Sequence, residues 1–253
     1  MRKMSGIGFL WICMMVFAVN PQAQLIKQIN FSAAEGYTDG LLVGQPANSE
    51  ARWTAASEAQ GVDVFNVANE AMFVHPDGTG VIWLYMDFPV QKTGVITATW
   101  DWQYFGPEEK KMDLGFTISD KGNYMVDGDP NTVFNEQSSI TRMGDLIDAR
   151  NGDWDGGGEW ISTNGVVYRD GVLVHMRMEV DTVEWIFDIY AQRDGEDEAL
   201  VADDFYFRRS PSQETGGVNV ITLWLNGGDP ETSVVLDNIL IVGATSVSGW
   251  DLF

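Results

Sequence analysis

The 253-residue chain predicts an all-β protein, a two-sheet antiparallel β-sandwich, on three observations. Apolar residues recur with a period of two and not of 3.6, as a strand with one buried side requires. Clusters of Gly, Asp, Asn and Pro separate these runs as turns. No stretch carries a capped, amphipathic helix longer than a turn or two. A sheet with one apolar side must cover that side, so two packed sheets are the economical arrangement, with a closed barrel as the alternative. The absence of a repeat at fixed period argues against propellers and β-helices.

The N-terminus reads as a targeting segment. Met1 to Lys3 are followed by an apolar run over 7–19, then by Asn20, Pro21, Gln22 and the small residue Ala23. This is the layout of a secretory signal peptide, 1–23, cleaved after Ala23. The run is shorter than the ~20 residues of a membrane span, so the expected location is secreted, periplasmic or cell-surface, with no membrane insertion after signal removal. Cys13, the only cysteine, lies within it, and the remainder can hold neither disulfides nor cysteine-based metal sites. Residues 24–253 suit one domain. Without Arg2 and Lys3 that domain has 13 basic against 37 acidic residues, a net charge of −24. Nucleic acid is thereby excluded as a partner, since its binding is dominated by basic charge on phosphate.

The strand candidates follow in order. Segment 62–67 comes first. In 81–88 Ile82, Leu84, Met86 and Phe88 share one side, with Trp83, Tyr85 and Asp87 on the other. In 95–105 Ile96, Ala98, Trp100, Trp102 and Tyr104 oppose Thr97, Thr99, Asp101 and Gln103. The cleanest alternation is 172–180, where Val174, Met176 and Met178 oppose His175, Arg177 and Glu179. Segments 112–118, 183–190, 204–208, 218–226 and 233–242 complete the set. Between them, 119–165 concentrates turn residues and reads as a long irregular stretch, of the kind that carries function or lacks order.

The non-core sides hold the chemistry. Residues two apart on a strand point the same way, so Trp83 with Tyr85, Asp101 with Gln103, Asp188 with Tyr190, and Trp224 with Asn226 each form a patch. If their strands are neighbours, flat rings and polar tips lie together, which suits a sugar: rings stack on its apolar faces while carboxylates and amides bond its hydroxyls. Trp83, Tyr85 and Trp224 are then the stacking surfaces, Asp101, Gln103 and Asp188 the hydroxyl partners, with Tyr190 beside them. His175 and Arg177, with Glu179, are the catalytic or anion-recognising candidates. Asp127, Asp129 and Asn131 resemble the start of a calcium loop but lack the downstream Glu. His75, before Pro76-Asp77-Gly78, reads as a turn residue.

FSAAEGYTDGLLVGQ with Trp53, the pair YRDGVLVHMRMEVD and VEWIFDIYAQRDG, and the closing VVLDNILIVG resemble the concanavalin A-like, jelly-roll domains of secreted bacterial lectins, glucanases and carbohydrate-binding proteins. The resemblance implies a jelly-roll sandwich that takes carbohydrate or polysaccharide as partner, and a structural calcium ion held by Glu35 and Asp237. It leaves binding and catalysis both open. Glucanases of this class carry Glu-x-Asp-x-x-Glu, whereas Glu179, Asp181 and Glu184 here fall across a hairpin turn. A lyase would instead use His175 as base with Arg177 neutralising a uronate. A structural or adhesive surface protein is the third possibility.

Overall fold

Wherever the alternation is long, the chain is a strand. A computed structural model describes residues 24–55, 62–78, 81–119, 138–153, 157–208 and 217–243, which form sixteen strands. The first eight are β1 (Gln24–Ile29), β2 (Gly40–Leu41), β3 (Thr54–Ala55), β4 (Phe65–Ala68), β5 (Ala71–Val74), β6 (Val81–Gln91), β7 (Val95–Phe105) and β8 (Leu114–Ser119). The others are β9 (Ser138–Met143), β10 (Ile147–Asn151), β11 (Glu159–Ile161), β12 (Leu173–Asp181), β13 (Ile186–Arg193), β14 (Ala199–Tyr206), β15 (Val218–Asn226) and β16 (Ser233–Gly243). Among the described residues no helix is long and apolar enough to cross a membrane.

They form two antiparallel sheets. One has nine strands in the order β14-β13-β12-β7-β16-β5-β4-β2, with β1 also on β16; the other has seven, β11-β10-β9-β8-β15-β6-β3. One edge of β16 is therefore shared: β5 takes Val234 to Leu236, and β1 takes Ile239 to Gly243. Its other edge pairs with β7.

The core lies between the sheets. Trp100 of β7 stacks on Phe116 of β8 with ring centroids 3.9 Å apart, so one contact ties the two layers together. Both rings are buried, as are the alternate residues Val174, Met176 and Met178 of β12 and Leu223 and Leu225 of β15. Full burial of each such side chain contributes about 1.5–3 kcal/mol. The opening segment packs around Trp53, whose indole N–H donates to the Tyr37 hydroxyl at 3.2 Å. Nearby, the Gln45 side chain accepts from the Thr38 N–H and donates to the Thr38 and Leu41 carbonyls, closing the loop after β2.

Two sequence expectations need correction. The stretch 119–165 is not uniformly irregular: its described parts supply β9, β10 and β11, one flank of the seven-stranded sheet. Segment 183–190 begins as a turn. Asp181 Oδ1 accepts from the N–H groups of Val183 and Glu184 at 2.7 and 2.9 Å, and Trp185 takes a left-handed φ of 58° before β13 starts. The 1–23 segment and the Asp127, Asp129, Asn131 alternation lie outside the described residues.

Candidate functional site

Parity correctly placed the candidates on outer faces, but the sheets divide them. Asp101, Gln103, His175, Arg177, Glu179, Asp188 and Tyr190 belong to the nine-stranded sheet; Trp83, Tyr85 and Trp224 belong to the other. No single patch unites the two sets, because a whole core separates them.

On the nine-stranded sheet, one row of direct partners runs Gln192, His175, Asp101, Asp237 across β13, β12, β7 and β16. The His175 Nδ1 lies 2.6 Å from Asp101 Oδ1. Asp101 Oδ2 accepts from the Asn238 side-chain amide at 2.7 Å. Asn238 reaches that position through a bulge: between Asp237 and Leu240, β16 has one residue more than β7, and Asn238 takes a left-handed φ of 56°. Asparagine tolerates this conformation better than most residues, and a bulge re-aims the side chain it carries. Its N–H donates to Asp237 Oδ1 at 2.7 Å. Burial, and then the charges of Asp101, Glu35 and Glu70, push the Asp237 carboxyl above the usual range.

This row opens into a groove of about 240 Å³ lined by Thr99, Asp101, His175, Arg177, Gln192, Glu198 and Asn238. The His175 side chain is 48% exposed, with Nε2 left for the groove once Nδ1 faces Asp101. Arg177 is otherwise engaged. Its Nε and Nη2 donate to the two carboxylate oxygens of Glu198 at 3.0 and 2.6 Å, and Nη1 bonds Glu179. The guanidinium carbon lies 3.7 Å from the Tyr190 ring centroid, so it covers that ring. The Glu198 bonds, ahead of any other cause, raise the Arg177 pKa.

The remaining candidates on this sheet are also committed. Gln103 donates to the Gly171 carbonyl at 2.8 Å. Glu179 and Asp188 are cross-strand partners and, with Asp181 and Asp204, line a smaller acidic cavity of about 130 Å³. Asp188 accepts from the Asp204 N–H at 2.7 Å, and burial, then neighbouring carboxylates, raise its pKa. The Glu35 carboxylate accepts from the N–H groups of Asn30 and Ser32 at 2.8 and 3.3 Å. Among the described residues no three His, Asp or Glu side chains converge as metal ligands. Glu35 thus caps the turn that follows β1, and Asp237 sits at the β16 bulge.

On the seven-stranded sheet the expected platforms are covered. Trp83, Tyr85 and Trp224 are 5%, 7% and 3% exposed, so they are packing residues and not open stacking surfaces. Trp83 and Trp224 stack at 5.7 Å, and Trp160 of β11 joins Trp224 at 6.0 Å. Four strand spacings, roughly 19 Å, separate β11 from β15. The rings close that distance by leaning inward, Trp224 across Gly115 of β8 and Trp160 across Arg142 of β9. Arg142 is held by Asp148 through Nε and Nη2 at 2.9 and 3.2 Å and by Asp113 at 3.2 Å. Asn226 donates to the other Asp113 oxygen at 2.9 Å. Sequence reasoning missed Asn238, Arg142, Arg150 and Trp160.

No protein-family model matches the chain, and no curated protein matches it. Solved structures do. The lectin UEA-II complexed with galactose superposes with a TM-score of 0.54 at 8% identity, over 88% of this chain and 100% of that one. Lectin I from Ulex europaeus, in complex with the methyl glycoside of α-L-fucose, gives 0.51 at 8% identity over 82% and 97%. A sialidase gives 0.50 at 13% identity over 79% of this chain, which spans 18% of the sialidase's length. At such identities the likeness is one of fold, and the fold is the concanavalin A-like, jelly-roll β-sandwich.

Proposed function

We propose that this is a secreted carbohydrate-binding domain and that a sugar seats in the groove of Asp101, His175, Gln192 and Asn238. The observation that carries this reading is the row itself: side chains from neighbouring strands converge on one open, polar groove. The Asp101 carboxylate holds His175 and Asn238 in place, and the Glu196 carbonyl holds the Gln192 amide nitrogen at 2.9 Å, which leaves His175 Nε2 and the exposed Gln192 amide oxygen to bond hydroxyls. Pre-positioned donors and acceptors lower the ordering cost of binding. The lectin folds found with galactose and with a fucoside support the substrate class. The test is a glycan array followed by calorimetry with galactosides and fucosides, on wild type, His175→Ala and Asp101→Asn. Losing one or two such hydrogen bonds, about 0.5–1.5 kcal/mol each, weakens binding roughly three- to tenfold or more per substitution. Undiminished binding by both variants refutes the site.

A second reading rests on the 2.6 Å contact of His175 with Asp101. A histidine oriented by a carboxylate through Nδ1 presents Nε2 as a general base, and a polysaccharide-degrading enzyme uses such a group. Against it, the Nε–Nη2 fork of Arg177 is taken by Glu198 and a third donor, on Nη1, by Glu179, so two carboxylates already compete with a uronate. Release of reducing or unsaturated ends from polysaccharides by wild type, lost in His175→Ala, would favour this reading over binding alone.

A further inference from the structure

The two arginines beside Trp160 differ in one respect that bears on ligands. Arg142, with its carbon 3.8 Å from the Trp160 ring centroid, has its donors directed at Asp148 and Asp113. Arg150 is the direct cross-strand partner of Trp160 and lies 5.7 Å from the same ring. Its Nε donates to the Gly157 carbonyl at 3.2 Å, and among the described residues its two terminal amino groups bond nothing. The nearby Asp153 carboxylate accepts from the Gly157 N–H at 2.9 Å. Burial, and then the charge of Arg142, lower the Arg150 pKa, whereas Asp153 acts in the opposite sense. A half-buried guanidinium whose two terminal amino groups have no partner among the described residues can receive an anion through that pair of donors.

We infer that Arg150 and Trp160 form a subsite for an acidic sugar residue, the guanidinium taking its carboxylate or sulfate and the indole its ring. The inference rests on the carbohydrate reading of the domain but not on the His175 groove, which lies on the other sheet. Trp160 suits the role because it is the partly exposed end of the row of rings whose other members, Trp83 and Trp224, are buried. An aromatic face beside a fixed cation is also what discriminates a sugar acid from a free anion, since the ring contributes area as well as the charge. The chain's charge of −22 repels polyanions at long range, so short oligomers bind better than long ones, and added salt weakens the ion pair.

The experiment is calorimetry on the full chain with three probes: tetragalacturonate, a sulfated galactan oligosaccharide and a neutral galactan oligosaccharide of similar length. Arg150→Met is expected to weaken binding of at least one acidic probe tenfold or more and to leave the neutral probe unaffected. Arg150→Lys, which keeps the charge but loses the fork, recovers part of the affinity. Which acidic probe responds distinguishes carboxylate from sulfate. Trp160→Ala serves as a second variant, and melting curves establish that each variant is folded. If folded Arg150→Met binds the acidic probes as tightly as wild type, or if acidic probes bind no better than the neutral one, the inference fails while the glycan reading stands. If no probe binds and the array is silent, both fail.

Discussion

Trp224 lies flat against Gly115: a Cβ built on that glycine would fall 1.8 Å from the indole nitrogen. The two are direct partners on β15 and β8, so the absence of a side chain on one strand makes room for the largest on the next. Gly115→Val should therefore force the ring off the sheet and cost about 1–3 kcal/mol, the usual range for overpacking. Urea denaturation measures this. The same substitution in a Trp224→Ala background should cost far less, and equal costs in both backgrounds would show that the contact is not the cause.

Asp148 is buried beside Arg142, and burial, its largest influence, raises its pKa against the pull of the arginine. Arg142→Ala strands that carboxylate, and losing one partner of a largely buried pair typically costs about 3–5 kcal/mol. The double variant Arg142→Ala/Asp148→Asn should recover part of the loss, because an amide needs no counter-ion. Guanidinium unfolding of the three proteins gives the comparison. A double variant no more stable than the single would contradict this account.

Asn238 combines a left-handed backbone with a bond to Asp101. Asn238→Gly keeps the conformation available and removes only the side chain, so stability should change by less than about 1 kcal/mol while Asp101 and His175 lose their anchor. Sugar affinity at the groove should then fall several-fold, read by calorimetry. An unchanged affinity would mean that Asp101 is positioned by the strands alone.

Three carboxyls, Asp148, Asp188 and Asp237, have pKa values raised above the ordinary 3.8, burial being the first cause in each. A raised folded pKa means the folded state binds protons more tightly than the unfolded one. Stability therefore falls as pH rises from about the ordinary carboxylate pKa through the folded values, and the penalty is complete above them. Self-repulsion within a chain of net charge −22 acts in the same direction. The melting temperature should be higher near pH 4 than at pH 8, with the gap narrowing in salt. A protein more stable at pH 8 would show that ion pairs such as Arg142 with Asp148 outweigh these groups.

The sandwich was legible because strands such as β12 bury every second residue without interruption. The flank formed by β9, β10 and β11 was not. There Thr141, Met143, Ile147 and Ala149 point inward against Arg142, Asp148 and Arg150, but β9 and β10 are only six and five residues long, so the alternation is too short to stand out among the turn residues around it. That flank holds Arg142, Arg150 and Trp160, which is why this part of the candidate surface escaped notice; the only signal was Trp160 amid glycines. Parity located the outer faces of β6, β7, β12 and β15, but it carries no information on which strands share a sheet. That depends on pairings between residues far apart in sequence, such as Asp101 with Asp237. The bulge at Asn238 was likewise invisible, since one extra residue looks like ordinary strand.

The shared edge of β16 has a consequence for biogenesis. Gln24 pairs with Gly243, and β5 and β7 wait for residues 233–243 to fill the space between them. Until that segment arrives, the nine-stranded sheet exists as two halves with open edges, which is the condition in which β chains associate with one another. Such non-local pairing also makes folding slow. A polypeptide synthesised from its N-terminus must hold these halves apart until residues 233–243 emerge. Its excess of negative charge gives it the means, keeping unfinished copies from one another until the last strand arrives.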